Sequence, residues 1–479
     1  MRGSAAGSEP AGNIKDRLLA ALTPFGQQHL VAFWDDLDRS QQGRLADEIE
    51  RIDFGLIDKL VHSQAAHENW ADLARRAEPP PSFRLHGGAS SFSHDEAVAA
   101  GRQALDRGEV GVILVAGGQG TRLGFDHPKG MYPVGPISKA SLFQILIEKI
   151  IARSRRHGVE IPLYLMTSPA THDETVEYLD AHGRFGLQED QLRIFCQGTM
   201  PAVDAATGRV LLADRHQIAL GPDGHGGMLA ALARSGSLKE IRERGIKHLY
   251  YLQVDNPIIS MCDPAFLGYH VLAESELSMQ AIAKRSLRDK LGNVVLIDGK
   301  LCILEYSDLN PLPDEILNRK AADGGPVFWA GSIGVHVFDV GFLERMAADA
   351  EALPFHIARK AVPHVDAKGK PVEPREPNAI KFERFIFDLL PSARHGIVVE
   401  VDGEQAFAAV KNAPGADTDS PEIMHRQMIN LHRQWLEHAG AKVAEGVAVE
   451  ISPLLAQDAE ELEQRIEPGR EVTQPTYFQ

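Results

Sequence analysis

The apolar run Val112-Ile113-Leu114-Val115-Ala116 passes directly into Gly117-Gly118-Gln119-Gly120-Thr121-Arg122-Leu123-Gly124, and Pro128-Lys129-Gly130 follows closely. A buried strand that ends in glycines offers bare backbone N–H groups to whatever binds beyond it, because no Cβ stands in the way. Arg122 and Lys129 place two cations in the same loop. Strand, glycines and cations together point to a polyphosphate, and so to a nucleotide, at the end of the strand. A plain strand-to-loop turn with an exposed arginine is the alternative, but five glycines with two spaced cations exceed what a turn requires.

Two familiar phosphate loops do not fit. A P-loop needs Lys followed by Ser or Thr after its last glycine, whereas Gly120 is followed by Thr121-Arg122. The dinucleotide fingerprint needs glycine at its first, third and sixth positions; counted from Gly118, the sixth is Leu123.

Chain-wide properties narrow the class further. A length of 479 residues suits two or three domains, and 44% hydrophobic with 24% charged residues is ordinary for a soluble globular protein. A net charge of -16 argues against a general nucleic-acid binder. Cys196, Cys262 and Cys302 show no metal-ligand spacing and suit a reducing compartment. No apolar run reaches membrane-spanning length, and the N-terminus MRGSAAGSEP lacks a hydrophobic signal core, so a cytoplasmic enzyme without membrane partner is expected. Oligomeric state is not legible.

The periodicity predicts helices over residues 13–77, with Leu18, Leu22, Leu30, Phe33, Trp34 and Leu37 recurring at three- and four-residue steps. Pro79-Pro80-Pro81 then forms a stiff linker, and a further helix is expected over 94–107. From Val110 to about Val401, short β-rich apolar runs alternate with amphipathic helices, the mark of an α/β sheet. Expected strands cover 111–115, 163–167, 192–195, 249–254, 294–297 and 335–338; expected helices cover 142–155, 171–179 and 228–234. A mixed tail follows, with a helix near 420–439, a strand near 447–451 and poorly ordered final residues. The linear division is 1–100 helical, 101–400 catalytic and 401–479 a small α+β domain.

Further stations lie where open α/β sheets bind ligands. Gln197-Gly198 follows one strand, and a Gln there can bond both edges of a nucleobase or simply serve its loop. Gly221-Pro222-Asp223-Gly224-His225-Gly226-Gly227 leads into a helix, suiting an anion at the helix N-terminus or an ordinary turn with His225 in solvent. Asp255, after Tyr250-Tyr251-Leu252-Gln253-Val254, could hold Mg²⁺ against phosphates or cap structure. Glu305, between Leu304 and Tyr306, is either a core-strand carboxylate needing a partner or an edge residue facing water.

In order along the chain, Leu114-Val115-Ala116-Gly117-Gly118-Gln119-Gly120-Thr121-Arg122-Leu123-Gly124, Pro128-Lys129-Gly130-Met131-Tyr132, Met166-Thr167-Ser168, Pro222-Asp223-Gly224, Val254-Asp255-Asn256, Glu305-Tyr306-Ser307, Phe382-Glu383-Arg384-Phe385-Ile386-Phe387-Asp388 and Lys411-Asn412-Ala413 resemble the UDP-N-acetylglucosamine (UDP-N-acetylhexosamine) pyrophosphorylases. The resemblance runs from about Val112 to Trp435. It implies a central Rossmann-like (GT-A-like) nucleotidyltransferase mixed sheet, flanked by the N-terminal helical region and the small C-terminal domain. It implies Gly117, Gly118, Gln197 and Gly224 at the uridine, and Arg122, Lys129 and Lys411 at the phosphates. Asp255 would carry Mg²⁺, while Gly292 and Glu305 would orient sugar hydroxyls.

Two positions depart from that pattern: His225 and Ser332 stand where the family's acetylhexosamine enzymes have asparagine. The expected partners are therefore UTP and a sugar 1-phosphate, with N-acetylglucosamine 1-phosphate first and glucose 1-phosphate, or a broad range of sugars, the alternative. A binder without turnover has no need of Arg122, Lys129 and Asp255 together. A glycosyltransferase of similar architecture would show Asp-x-Asp, where this chain has Val254-Asp255-Asn256.

Overall fold

The computed structural model describes residues 11–62, 69–85, 91–349 and 352–479. The N-terminal MRGSAAGSEP lies outside them, as do residues 63–68 of the expected helical region. The described residues form two compact units: 69–197, 228–352 and 387–479 make the larger, while the smaller joins the N-terminal helices to 198–227 and 353–386. The linear division read from the sequence does not follow this grouping. Long-range strand pairing is the reason: Ala379–Glu383 pairs with both His356–Lys360 and Val203–Asp204.

The larger unit is built on a mixed ten-stranded sheet. Its strands in chain order are β1 (Ser82–Phe83), β2 (Val110–Val115), β3 (Leu163–Thr167), β4 (Leu192–Cys196), β5 (His248–Gln253), β6 (Leu277–Ala283), β7 (Asn293–Ile297), β8 (Lys300–Leu304), β9 (Ala330–Asp339) and β10 (Gly396–Glu400). The main path runs β1-β10-β6-β9-β5-β2-β3-β4. β5, β2, β3 and β4 are mutually parallel, so their C-terminal ends share one edge. β9 runs antiparallel to β5 and β6, and the β7–β8 hairpin joins it where Asn293 pairs with Gly331. Near-continuous apolar runs such as Val110–Val115 suit parallel strands covered on both faces.

Among the helices of the larger unit are α1 (His94–Asp106), α2 (Leu142–His157), α3 (Pro264–Leu272) and α4 (Pro421–His438). α1 begins with a capping box, in which Ser93 and Glu96 satisfy each other's backbone N–H. α1 and α3 meet at two glycines. A Cβ on Gly101 would stand 1.8 Å from the Pro264 carbonyl oxygen, and one on Gly268 would stand 1.6 Å from that of Ala97. Only hydrogen fits at this crossing.

The chain's end departs from the expected disorder. Ala459–Glu463 is helical, Glu471–Val472 pairs with Lys442–Val443, and Thr476–Phe478 pairs in parallel with Val449–Ile451. Val472 and Phe478 punctuate the polar tail and bury into a local core with Leu436, Val449, Ile451 and Leu462. Buried Glu450 reaches out of this core. Its carboxylate accepts the N–H groups of Ile137 and Ser138, both at 2.7 Å, and the Ser138 hydroxyl at 2.6 Å.

Two histidines, His270 buried and His432 half-buried, make stability depend on pH. Burial holds His270 well below the ordinary value of 6.5 and, with Lys149 adding to it, lowers His432 to about 3. Both are neutral in the fold but protonate below 6.5 once unfolded. Their contribution is therefore intact above pH 6.5 and is lost as pH falls, at about 1.4 kcal/mol per unit and per histidine. The Nδ1 of His432 accepts the Ile451 N–H at 3.2 Å, a bond glutamine can mimic. Urea midpoints measured from pH 7 to 4.5 should fall less steeply in His432→Gln than in the wild type; parallel slopes would clear His432 of this role.

Candidate active site

The shared C-terminal edge of β5, β2, β3 and β4 carries the residues predicted for the nucleotide, its phosphates and the metal within the larger unit. Gly117 and Gly118 follow β2, Gln197 follows β4 and Asp255 follows β5. Backbone bonds continue the ladder past the strand ends: Val254 N–H donates to Val115 O at 3.0 Å, and Gln197 N–H to Thr167 O at 2.9 Å. Gln197 is buried, and its Oε1 stands 3.0 Å from where a Gly117 Cβ would be. Ser168 Oγ donates to Gly117 O at 2.7 Å. Gly118 is open to solvent, with nothing near a Cβ placed there, while its carbonyl accepts the Lys129 N–H at 3.0 Å. That bond folds the glycine loop back on itself and brings Lys129 to the strand ends.

Lys129 and Lys411 converge on Asp255. The Lys129 Nζ lies 3.3 Å from Asp255 Oδ2 and the Lys411 Nζ 3.9 Å from the same oxygen. Burial by itself would raise the Asp255 carboxyl, but Lys411 and Lys129 together hold it below the ordinary aspartate value. Val410 N–H donates to Asp255 O at 2.9 Å, fastening the Lys411 loop to the end of β5. Arg122 sits on the exposed rim of the glycine loop, in the single 3₁₀ turn Thr121–Leu123.

Mg²⁺ takes one or two carboxylates and completes its shell with water and substrate phosphates. An ionised carboxylate at a strand end beside two lysines suits an ion arriving with a nucleotide. Among the described residues no group of three or more His, Cys, Asp or Glu could hold an ion without one.

A second cluster joins β7, β8 and β9. Ser332 N–H donates to Gly292 O at 2.8 Å, and Glu305 Oε1 lies 3.2 Å from where a Gly292 Cβ would be. Glu305 is not in a core strand, as one reading of the sequence had it. It follows β8 and precedes the short helix Tyr306–Leu309, where its half-buried carboxylate reaches Gly292. Lys284, which sequence reasoning missed, donates to Asn293 Oδ1 at 2.6 Å and Leu287 O at 2.9 Å, bracing the same turn. Asp419 was missed too. Burial raises its carboxyl, with Lys411 acting against it. A lone Asp near a helix start reads as a cap, so its sequence context carried no signal.

Gly224 and His225 belong to the smaller unit. Gly224 adopts φ +84°, and a Cβ there would meet the Arg384 carbonyl oxygen at 2.4 Å. Gly226 N–H donates to that same oxygen at 2.8 Å. The Gly226 N–H is thus engaged by the Arg384 segment, not held open for an anion. His225 is half-buried and stacks on Phe385, with ring centroids 5.3 Å apart and planes 18° from parallel. Its Nδ1 accepts the Ile386 N–H at 3.3 Å, so the neutral ring carries its proton on Nε2. An idle turn residue would have neither constraint.

Cations gathered around a carboxylate beside an open glycine loop are what nucleotidyl transfer requires of a site. Comparison with known proteins agrees: the family described as UTP–glucose-1-phosphate uridylyltransferase matches residues 75–436, and the chain belongs to it. Within it, the chain is a UDP-sugar pyrophosphorylase, an enzyme of the nucleotidyltransferase class. It is 37% identical over 456 residues to the UDP-N-acetylglucosamine pyrophosphorylase of Saccharomyces cerevisiae, covering 92% of this chain and 94% of that one. The crystal structure of the Trypanosoma brucei uridine diphosphate N-acetylglucosamine pyrophosphorylase superposes with a TM-score of 0.80 at 25% identity, covering 98% and 99% of the two chains. That of a putative UDP-N-acetylglucosamine pyrophosphorylase from Entamoeba histolytica gives 0.73 at 32%, covering 80% and 96%. No helix among the described residues is long and apolar enough to cross a membrane.

Proposed function

We propose that this enzyme transfers uridylyl from UTP to N-acetylglucosamine 1-phosphate, releasing pyrophosphate. The observation that carries the transfer step is the convergence of Lys129 and Lys411 on Asp255 at the strand edge beside Gly117 and Gly118. The acceptor rests on the similarity to acetylglucosamine enzymes over nearly the whole chain.

In the proposed reaction a sugar-phosphate oxygen attacks the α-phosphorus of UTP in line, and the bond to the departing pyrophosphate breaks. The attacking oxygen is already ionised at neutral pH, so no side-chain base is required. The obstacle is repulsion between two anions, and preorganised cations are the remedy. Lys129 and Arg122 bind the triphosphate, and Lys411 draws the sugar phosphate toward it. Gly117, Gly118 and Gln197 hold the uridine. Gly292, Glu305 and Ser332 bind the sugar. Asp255 would hold Mg²⁺, which neutralises phosphate charge when bound.

A panel assay tests the reading: pyrophosphate release is followed with UTP, Mg²⁺ and individual sugar 1-phosphates. Fastest release with N-acetylglucosamine 1-phosphate is expected, and none with any sugar would end the proposal. The second reading, glucose 1-phosphate as acceptor, is favoured by His225. His225 takes the Ile386 N–H at Nδ1 and stacks on Phe385, whereas an asparagine amide in its place would carry both a donor and an acceptor. His225→Asn should therefore raise the activity ratio of N-acetylglucosamine 1-phosphate to glucose 1-phosphate, by about tenfold if one hydrogen bond is gained. An unchanged ratio would remove His225 from acceptor choice.

A further inference from the structure

Between β10 and Lys411 the chain makes one helical turn, Gly403–Ala406, and then leaves regular structure at Phe407, whose backbone is extended. Ala408, Ala409 and Val410 are buried, and buried backbone groups outside a helix or sheet still need partners. Two side-chain amides supply them. Asn256, only 3% exposed, donates from Nδ2 to Ala406 O at 2.8 Å and accepts the Ala408 N–H at Oδ1, at 3.1 Å. Gln427 on α4 donates to Phe407 O at 2.9 Å and to Gly403 O and Glu404 O, both at 3.0 Å. Two residues further on the main chain takes over, where Val410 N–H donates to Asp255 O at 2.9 Å.

Asparagine carries a donor and an acceptor side by side, so it can take a carbonyl and an N–H from one passing segment; alanine offers neither. Asn256 thus grips the residues on either side of Phe407. The Phe407 ring in turn lies 5.7 Å from Lys411 Nζ, within the range at which an aromatic face attracts an ammonium. The same Nζ stands 3.9 Å from Asp255 Oδ2, beyond hydrogen-bond distance. Ring and carboxylate therefore share the ammonium, and both are placed by adjacent residues at the end of β5.

We propose that Asn256 is a positioning residue for Lys411. Its amide fixes the backbone on both sides of Phe407, and the Phe407 ring holds the Lys411 ammonium beside Asp255. This deepens the reading of the site given above and rests on Lys411 serving the sugar phosphate.

Kinetics of the full-length enzyme with UTP and N-acetylglucosamine 1-phosphate test it. Asn256→Ala should lower kcat/KM for the sugar 1-phosphate by about 10- to 100-fold, the loss usual when the support of a site residue is removed. KM for UTP should stay near the wild-type value, because Val254 N–H to Val115 O keeps the end of β5 in its ladder. Phe407→Leu leaves its main-chain bond to Gln427 in place and should lose about two- to fivefold, the effect of a partly exposed cation–ring contact. Either change combined with Lys411→Ala should lose no more than Lys411→Ala alone. Losses that add to those of an impaired Lys411→Ala would overturn the proposal, as would a KM for UTP that rises with that for the sugar. Wild-type kinetics in either single variant would overturn it too. Should Asn256→Ala not fold, Asn256→Ser, which keeps a hydroxyl for one of the two bonds, carries the same readings. A Lys411→Ala enzyme of normal activity would instead bring down the assignment of Lys411, and this inference with it.

Discussion

Lys129→Ala should cut turnover by roughly 10²–10³, or about 3–4 kcal/mol of transition-state stabilisation, with little change in melting midpoint. The Lys129 ammonium is one of two cations on Asp255 and the nearer of them. Its loss removes a preorganised positive charge where negative charge must accumulate. The fold should tolerate the change because Asp255 keeps Lys411 within 3.9 Å, and because the loop is closed through backbone atoms. The bond from Lys129 N–H to Gly118 O survives truncation of the side chain. Steady-state kinetics with UTP and the best sugar 1-phosphate, beside a thermal melt, measure both quantities. A variant that turns over normally would show that the lysine is a structural partner of Asp255 only.

The second large effect concerns stability. Gly268→Ala is expected to destabilise the protein by about 3 kcal/mol, enough to reduce soluble yield. The added methyl would stand 1.6 Å from the Ala97 carbonyl oxygen and 2.4 Å from its carbon. Both are backbone atoms, so no rotamer change relieves the clash; α1 and α3 must separate. Gly43→Ala is the matched control, because Gly43 lies in the helix Arg39–Glu50 with nothing within 4 Å of the new methyl. That change should stabilise by about 0.5–1 kcal/mol through helix propensity. Equal urea midpoints for the two variants would contradict the packing seen at the α1–α3 crossing.

Six of the ten strands of the main sheet were legible because apolar, β-branched runs such as Val110–Val115 stand between turn residues and helical patterns, whereas β1, β6, β8 and β10 were not among the expected strands. Leu163–Thr167 matches residue for residue, and the remaining bounds differ by a few residues at most except in β9. β9 extends from Ala330 because Ala330-Gly331-Ser332 pairs with β6 beyond a bulge; small residues carry no periodic signal. The glycine loop was equally plain, since its residues are contiguous. Grouping residues 198–227 and 353–386 with the N-terminal helices was not legible, because it depends on pairings such as Ile380 with Val203. Ordering of the chain's end depends on two apolar residues, Val472 and Phe478, whose partners lie elsewhere in sequence. Asp419 was missed for a related reason: its neighbours at the site come from distant segments, and its left-handed backbone leaves no mark in composition.

The charged centre is assembled from segments widely spaced along the polypeptide: the glycine loop, the end of β5 and the loop before α4. Between the last two comes β10, which lodges between β1 and β6. During synthesis on the ribosome, the parallel strands β2 to β5 emerge long before Lys411 does. A nascent chain can thus shape a nucleotide cradle early, yet it gains the full set of opposing charges only after β10 has been made.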